Sequence, residues 1–272
     1  MKVQTIRWNN HFSQFIDPRN VDIWLPPSYY EQPKQNYPVL YMHDGQNLFN
    51  RKDAYAKVDW GIVPAMHRLL RTGKVREAII VGIWNTNKRV QEYLPWKPFT
   101  EISRGQVVYK KYQKKIGEVF SDAYLKFLVE ELKPQVDSQF RTLPSQGDTF
   151  IMGSSLGGLI SLYAICEYPQ IFSGAGCVST HWPILKQLMV NYLKAHLPDP
   201  ATHRLYFDFG TEGIDADYER YQIKADKVLQ KGGYVIGGNW ITRKFEGHSH
   251  HESYWRKRVH IPMAFLIGKY IC

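Results

Sequence analysis

Cysteine is scarce in this chain. Cys166, Cys177 and Cys272 are too few and too scattered among 272 residues for a disulfide framework or zinc-ligand spacing, and they read as inert small hydrophobes. No stretch reaches the ~18 consecutive apolar residues of a membrane span. Met1 to Asn10 lacks the apolar segment of a signal peptide, so a cytoplasmic location is expected. No P-loop, dinucleotide fingerprint or metal-ligand spacing occurs, and neither a cofactor nor a metal is predicted. No proline- or glycine-rich linker or internal repeat divides residues 1–272, which therefore read as one domain.

Positive charge is in excess, at a formal net +10. Its densest pieces, Tyr109 to Lys115 and Arg256-Lys257-Arg258, would suit a nucleic-acid surface, but solvated helix faces explain them more simply. Nucleic acid and membrane are accordingly not expected as partners.

One stretch carries chemistry. A short β-rich run, Thr149 to Met152, ends at a glycine, and Leu156, Leu159, Ile160, Tyr163 and Cys166 follow at helical spacing. Between them Gly153-Ser154-Ser155-Leu156-Gly157 matches G-x-S-x-G, the strand–turn–helix nucleophile elbow. Such a turn strains and crowds the serine, so glycines two residues either side leave room. The helix that starts there aims its positive end at charge developing beside the hydroxyl.

Around this stretch, β and helical patterns alternate. Thr5–Trp8 and Asn20–Leu25 read as antiparallel strands. Further strands are expected at Tyr37–Met42, Glu77–Ile83, Phe172–Val178, His203–Phe209 and Trp240–Phe245. Helices are expected at Trp60–Leu70, Phe120–Leu132 (ending before Pro134), Ile184–Leu193, Ala216–Gln230 and Tyr254–Tyr270. Leu94 to Lys115 shows little period and reads as a surface excursion. The alternation predicts an α/β domain with a mostly parallel central sheet and helices on both faces.

A serine hydroxyl needs a base, and the base needs an orienting carboxylate. In an open α/β sheet such groups gather at the carboxyl ends of strands. After His203–Phe209 come Glu212, Asp215 and Asp217; after Trp240–Phe245 come His248, His250 and His251. The order serine, acid, histidine is that of α/β-hydrolases.

Nearly the whole chain resembles the esterase D-like "putative esterase" family of α/β-hydrolases, which includes feruloyl, acetyl and enterochelin-type esterases. The resemblance rests on Pro38 to Phe49, Ala123–Phe127 with Glu130–Pro134, Met152–Gly158, Phe207–Thr211 and Glu246-Gly247 through Trp255-Arg256. It implies Ser155 as nucleophile, with the N–H groups of Leu156 and Gln46 as the oxyanion hole. It also implies His250 as base, five residues before Trp255, with His248 and His251 as rivals. Family members often carry the acid about three residues after the loop glycine, where this chain has Gly213. Asp215 is preferred, being short and deeper in the loop, while Glu212 and Asp217 stay open. His43 and Asp44 read as shaping the oxyanion loop rather than as a metal or acid–base pair. Trp182, Trp84 and Asn85 follow strand ends and are candidates to line a substrate pocket. The expected activity is hydrolysis of a small-molecule ester, an acylated small molecule or sugar, through an acyl-enzyme. Acyl transfer by the same residues, or a non-catalytic binding module on this scaffold, are the alternatives.

Overall fold

The computed structural model describes residues 5–269. Cys272, and Tyr270 at the end of the expected last helix, lie outside them. Eight strands form one sheet: β1 (Thr5–His11), β2 (Arg19–Trp24), β3 (Val39–His43), β4 (Ile79–Ile83), β5 (Thr149–Ser154), β6 (Gly174–Val178), β7 (Arg204–Glu212) and β8 (Trp240–Ser249). Their spatial order is β1-β2-β4-β3-β5-β6-β7-β8. The β1–β2 and β2–β4 pairs are antiparallel; the pairs from β4 to β8 are parallel.

The central parallel strands β3 to β6 are buried throughout, as a sheet covered on both sides requires, while the edge strand β8 is partly exposed along most of its length. Val39 and Tyr41 of β3 join Ile79, Val81 and Ile151 in one core, while Leu40 and Met42 join Ile80, Phe150 and Met152 in the other. The second core is closed by α1 (Ile62–Arg71) and by the last two helices of the chain. The first is closed by the helices between β4 and β5, α2 (Arg89–Tyr93), α3 (Lys97–Glu101), α4 (Gly105–Ile116), α5 (Ser121–Lys126) and α6 (Lys133–Gln139), and by α7 (Leu156–Glu167), α8 (Gln187–Ala195) and α9 (Glu219–Lys231). Helices α10 (Glu252–Arg258) and α11 (His260–Ile267) end the described chain. Among the described residues no helix is long and apolar enough to cross a membrane.

Four expectations are corrected. The surface excursion at 94–115 is helical: α3 and α4 pack Phe99, Tyr109 and Ile116 into the core. The five-residue α3 is too short to display a period, and in the twelve-residue α4 the lysines between Tyr109 and Ile116 obscure the spacing of those buried residues. Pro134 does not stop its helix. The chain widens into a π-turn over Phe127–Leu132 and continues as α6 to Gln139, so the missing proline N–H and its ring are absorbed by the wider turn. The loop after Phe209 is instead strand as far as Glu212, paired with a β8 that runs to Ser249. Finally, Arg256-Lys257-Arg258 is not one solvated face, because Arg258 is buried. The Lys110 to Lys115 run matches its expectation, with all four lysines exposed.

Candidate active site

Ser155 sits between β5 and α7 with φ 57° and ψ −122°, a conformation that non-glycine residues adopt at a cost of order 1–3 kcal/mol. Its backbone is held on three sides. The N–H donates to Val178 O at 2.9 Å, and the carbonyl accepts from Leu159 N at 3.0 Å and His181 N at 3.1 Å. The flanking glycines are demanded by contact: a Cβ on Gly153 would lie 2.6 Å from the Gly157 carbonyl group. The side chain is half-buried and lines a cleft of about 480 Å³ with Asp44, Gln46, Asn85, Arg89, His250 and Trp255.

β7 and β8 bring the acid and the imidazole together. Their register shifts between Gly210 and Glu212, and Glu212 then pairs with Ser249. The strands approach so closely that a Cβ on Gly210 would lie 2.1 Å from His248 O. This arm carries Asp215 and His250 side by side: His250 Nδ1 lies 2.6 Å from Asp215 Oδ1. The other carboxylate oxygen accepts from Ser179 Oγ and Gly210 N, both at 2.8 Å. Asp215 is fully buried. Burial pushes its carboxyl up, but the hydrogen bond and charge of His250, with the Gly210 and Ser179 bonds, outweigh that and hold it below its ordinary range. Edge-on Trp255 and Tyr218, with ring centroids 4.9 and 5.8 Å away, fix the plane of His250.

The rival residues are engaged elsewhere. His248 Nδ1 faces Arg258 Nη1 at 3.1 Å and its ring stacks on Phe245. His251 caps α10 by accepting from Ser253 N. Glu212 and Asp217 are exposed, and Asp217 faces Arg220 at 3.7 Å.

The chain segment after β3 faces Ser155 from across the cleft. Gly45 lies against β4, where a Cβ would meet the Gly82 carbonyl carbon at 2.4 Å, so only glycine lets Gln46 reach its place. Gln46 is in the first turn of a short 3₁₀ helix, and Leu156 opens α7. Backbone N–H groups at these positions have no partner within their own helix. The side chain of Leu156 is buried.

His43 and Asp44 are structural. His43 is buried with Nδ1 2.7 Å from Tyr124 Oη, and its pKa is pushed down to about 3 by burial, with Asp44 opposing and Arg89 adding to the effect. Asp44 takes a bidentate pair from Arg89, at 2.7 and 2.8 Å, and a bond from Asn85 Nδ2 at 2.5 Å. Among the described residues no cluster could hold a metal ion.

Of the three pocket candidates, only Asn85 lines the cleft. Trp182 is buried in the core, stacked on Phe207, and Trp84 donates to Asp22 beneath the Arg7 guanidinium. A strand-end tryptophan can turn toward core or cleft, and the sequence does not say which.

Sequence reasoning missed the buried network behind the acid. Ser179 Oγ accepts from Trp255 Nε1 at 3.0 Å and Arg258 Nη2 at 2.8 Å, and Arg258 also pairs with buried Asp208 at 3.0 Å. One signal was available: Trp255, Arg258, Val259, Pro262 and Met263 share one helical stripe, which places Arg258 on the apolar face.

The sequence profile of the family described as "Putative esterase" matches residues 13–259. The chain belongs to that family. Esterase membership makes it a carboxylic ester hydrolase, and its fold agrees. Among curated proteins, the uncharacterized protein YbbA of Bacillus subtilis (strain 168) is 25% identical over 266 residues, covering 92% of this chain and 93% of its own. Among solved structures, a ferulic acid esterase superposes with a TM-score of 0.69 at 18% identity, over 98% of this chain and 99% of its own. An IroE-like serine hydrolase from Shewanella oneidensis gives 0.69 at 20% identity, over 98% and 80%. At such identities the structural likeness speaks for the fold of this esterase, not for its substrate.

Proposed function

We propose that this esterase cleaves small-molecule carboxylic esters through an acyl-enzyme on Ser155, with His250 as base and Asp215 as the orienting acid. The observation that carries the reading is the 2.6 Å bond between His250 Nδ1 and a fully buried carboxylate, in a histidine that lines the same cleft as the strained serine. A carboxylate on Nδ1 leaves Nε2 as the free lone pair, which is the nitrogen a hydroxyl must give its proton to.

Ser155 Oγ attacks the ester carbonyl carbon as its proton passes to His250 Nε2. The carbonyl oxygen gains the negative charge and is held by the N–H groups of Leu156 and Gln46, aided by the positive end of α7. The tetrahedral intermediate collapses, and the departing alkoxide takes the proton back from His250. Water then attacks the acyl-enzyme by the same route and Ser155 is regenerated. Asp215, kept ionised by its three partners, stabilises the imidazolium in both halves.

The cleft volume of about 480 Å³ lies within the range of sites for small molecules. Gln46, Asn47, Asn85 and Thr86 line it with neutral hydrogen-bonding groups, which suits an acylated small molecule or sugar. The decisive experiment is hydrolysis of p-nitrophenyl acetate by the protein and by Ser155→Ala, with fluorophosphonate labelling alongside. The variant should lose on the order of a million-fold in kcat and all labelling. Retention of either activity by the variant counts against Ser155.

A further inference from the structure

Charge around the cleft is unevenly committed. Both carboxylate oxygens of Asp44 are taken by Arg89, and Asp215 is saturated by His250, Ser179 and Gly210. Glu252 differs. Its side chain is 13% exposed and lines the cleft, yet the nearest basic nitrogen is His251 Nε2 at 4.0 Å, beyond hydrogen-bond reach. Among the described residues no donor bonds its carboxylate. Glu252 opens α10. Of the cleft-lining residues Arg89 contributes +1 and Asp44 and Glu252 contribute −1 each. The cleft is therefore net −1 on a chain whose net charge is +10.

The same cleft carries an unused aromatic face. Tyr55 lines the same cleft at 86% exposure, and its loop is tied down by the bond from its N–H to Asn47 Oδ1 at 2.9 Å. No aromatic or cationic side chain among the described residues covers its ring. A tyrosine face attracts a ligand cation, and a largely desolvated carboxylate needs a counter-charge.

We propose that the cleft selects esters bearing a cationic group, an ammonium or quaternary ammonium, with Glu252 as its counter-ion and Tyr55 as its aromatic wall. The inference rests on the cleft being the ester site, and it names the substrate class of that site. The charges of Arg89 and Glu252 act on each other, but Asp44 holds that guanidinium by two bonds, so Arg89 leaves the Glu252 oxygens unbonded.

The test compares choline with neohexanol, its uncharged carbon isostere, as competitive inhibitors of p-nitrophenyl acetate hydrolysis at low ionic strength. Choline should bind about fivefold more tightly than neohexanol. That ratio should fall to about two in Glu252→Gln, drop by about twofold in Tyr55→Ala at its exposed site, and shrink as salt is added. Equal inhibition by the two in the unsubstituted protein, or a choline preference undiminished in Glu252→Gln, overturns the proposal. If p-nitrophenyl acetate is not turned over at all, the esterase chemistry fails on its own. Calorimetric titration of the same two ligands then still measures the ratio and decides the cation preference separately.

Discussion

Replacing Asp215 by Asn tests the arrangement at the place where the geometry is most constraining. Ser179 Oγ accepts from Trp255 and Arg258, so its own hydrogen must go to Asp215 Oδ2, which also takes Gly210 N–H. An amide at 215 can satisfy those two donors only by placing its oxygen at the Oδ2 position. Its NH₂ then faces His250 Nδ1 across the 2.6 Å contact. The imidazole must accept there and carry its hydrogen on Nε2, where it can no longer receive a proton from Ser155. The expected loss in kcat is about ten-thousandfold, the magnitude of a wrong tautomer in other triads, or roughly 5.5 kcal/mol of transition-state stabilisation. The fold should persist, because the Ser179 and Gly210 bonds remain. Stability should drop, however. Asp215 is held below its ordinary pKa, so its contribution is fully present above about pH 4 and is lost as pH falls through its depressed folded value. The assay is steady-state p-nitrophenyl acetate hydrolysis beside circular dichroism. Retention of more than about a tenth of kcat would refute the reasoning, as would an equal loss in Glu212→Gln or Asp217→Asn.

Three further outcomes are expected. His248→Gln and His251→Gln should keep kcat within about tenfold while His250→Gln loses at least a thousandfold, since only His250 meets Asp215; a ranking with His250 last sinks the assignment. Gly45→Ala forces its Cβ into the β4 backbone and moves Gln46, so kcat should fall on the order of a hundredfold with KM little changed; normal kcat would remove Gln46 from the oxyanion hole. His43 and His181, pushed down to about 3 and about 4 chiefly by burial, are neutral in the fold, while the unfolded chain binds their protons below about pH 6.5. Stability should therefore fall as pH drops from 6.5 towards 4, by roughly 3 kcal/mol or more at pH 4.5, read as a lower urea midpoint that His43→Gln partly restores. An unchanged midpoint between pH 7 and 4.5 would contradict the burial of both rings.

Much of this was legible before any coordinates. The apolar runs within Tyr37–Met42, Glu77–Ile83 and Thr149–Met152 suited buried strands of a covered sheet, and the glycines around Ser155 announced a sharp turn between strand and helix. Local sequence carries such information because period and turn chemistry act over a few residues. It favoured Asp215, and the family resemblance favoured His250, but neither could exclude Glu212, Asp217, His248 or His251. All six sit on polar segments, and what separates them is which carboxylate the β7–β8 arm buries and which ring it turns inward. Tertiary packing also decided the fates of Trp182 and Arg258, one taken into the core and the other paired with Asp208 fifty positions away. The chain alone determined the strand and helix segments, their sequence order and the bend at the serine, all governed by short-range forces. Only the packed fold joined the strands into one sheet, buried Asp215 and set His250 against it, because pairing across distant segments and exclusion of water do not exist until those segments meet.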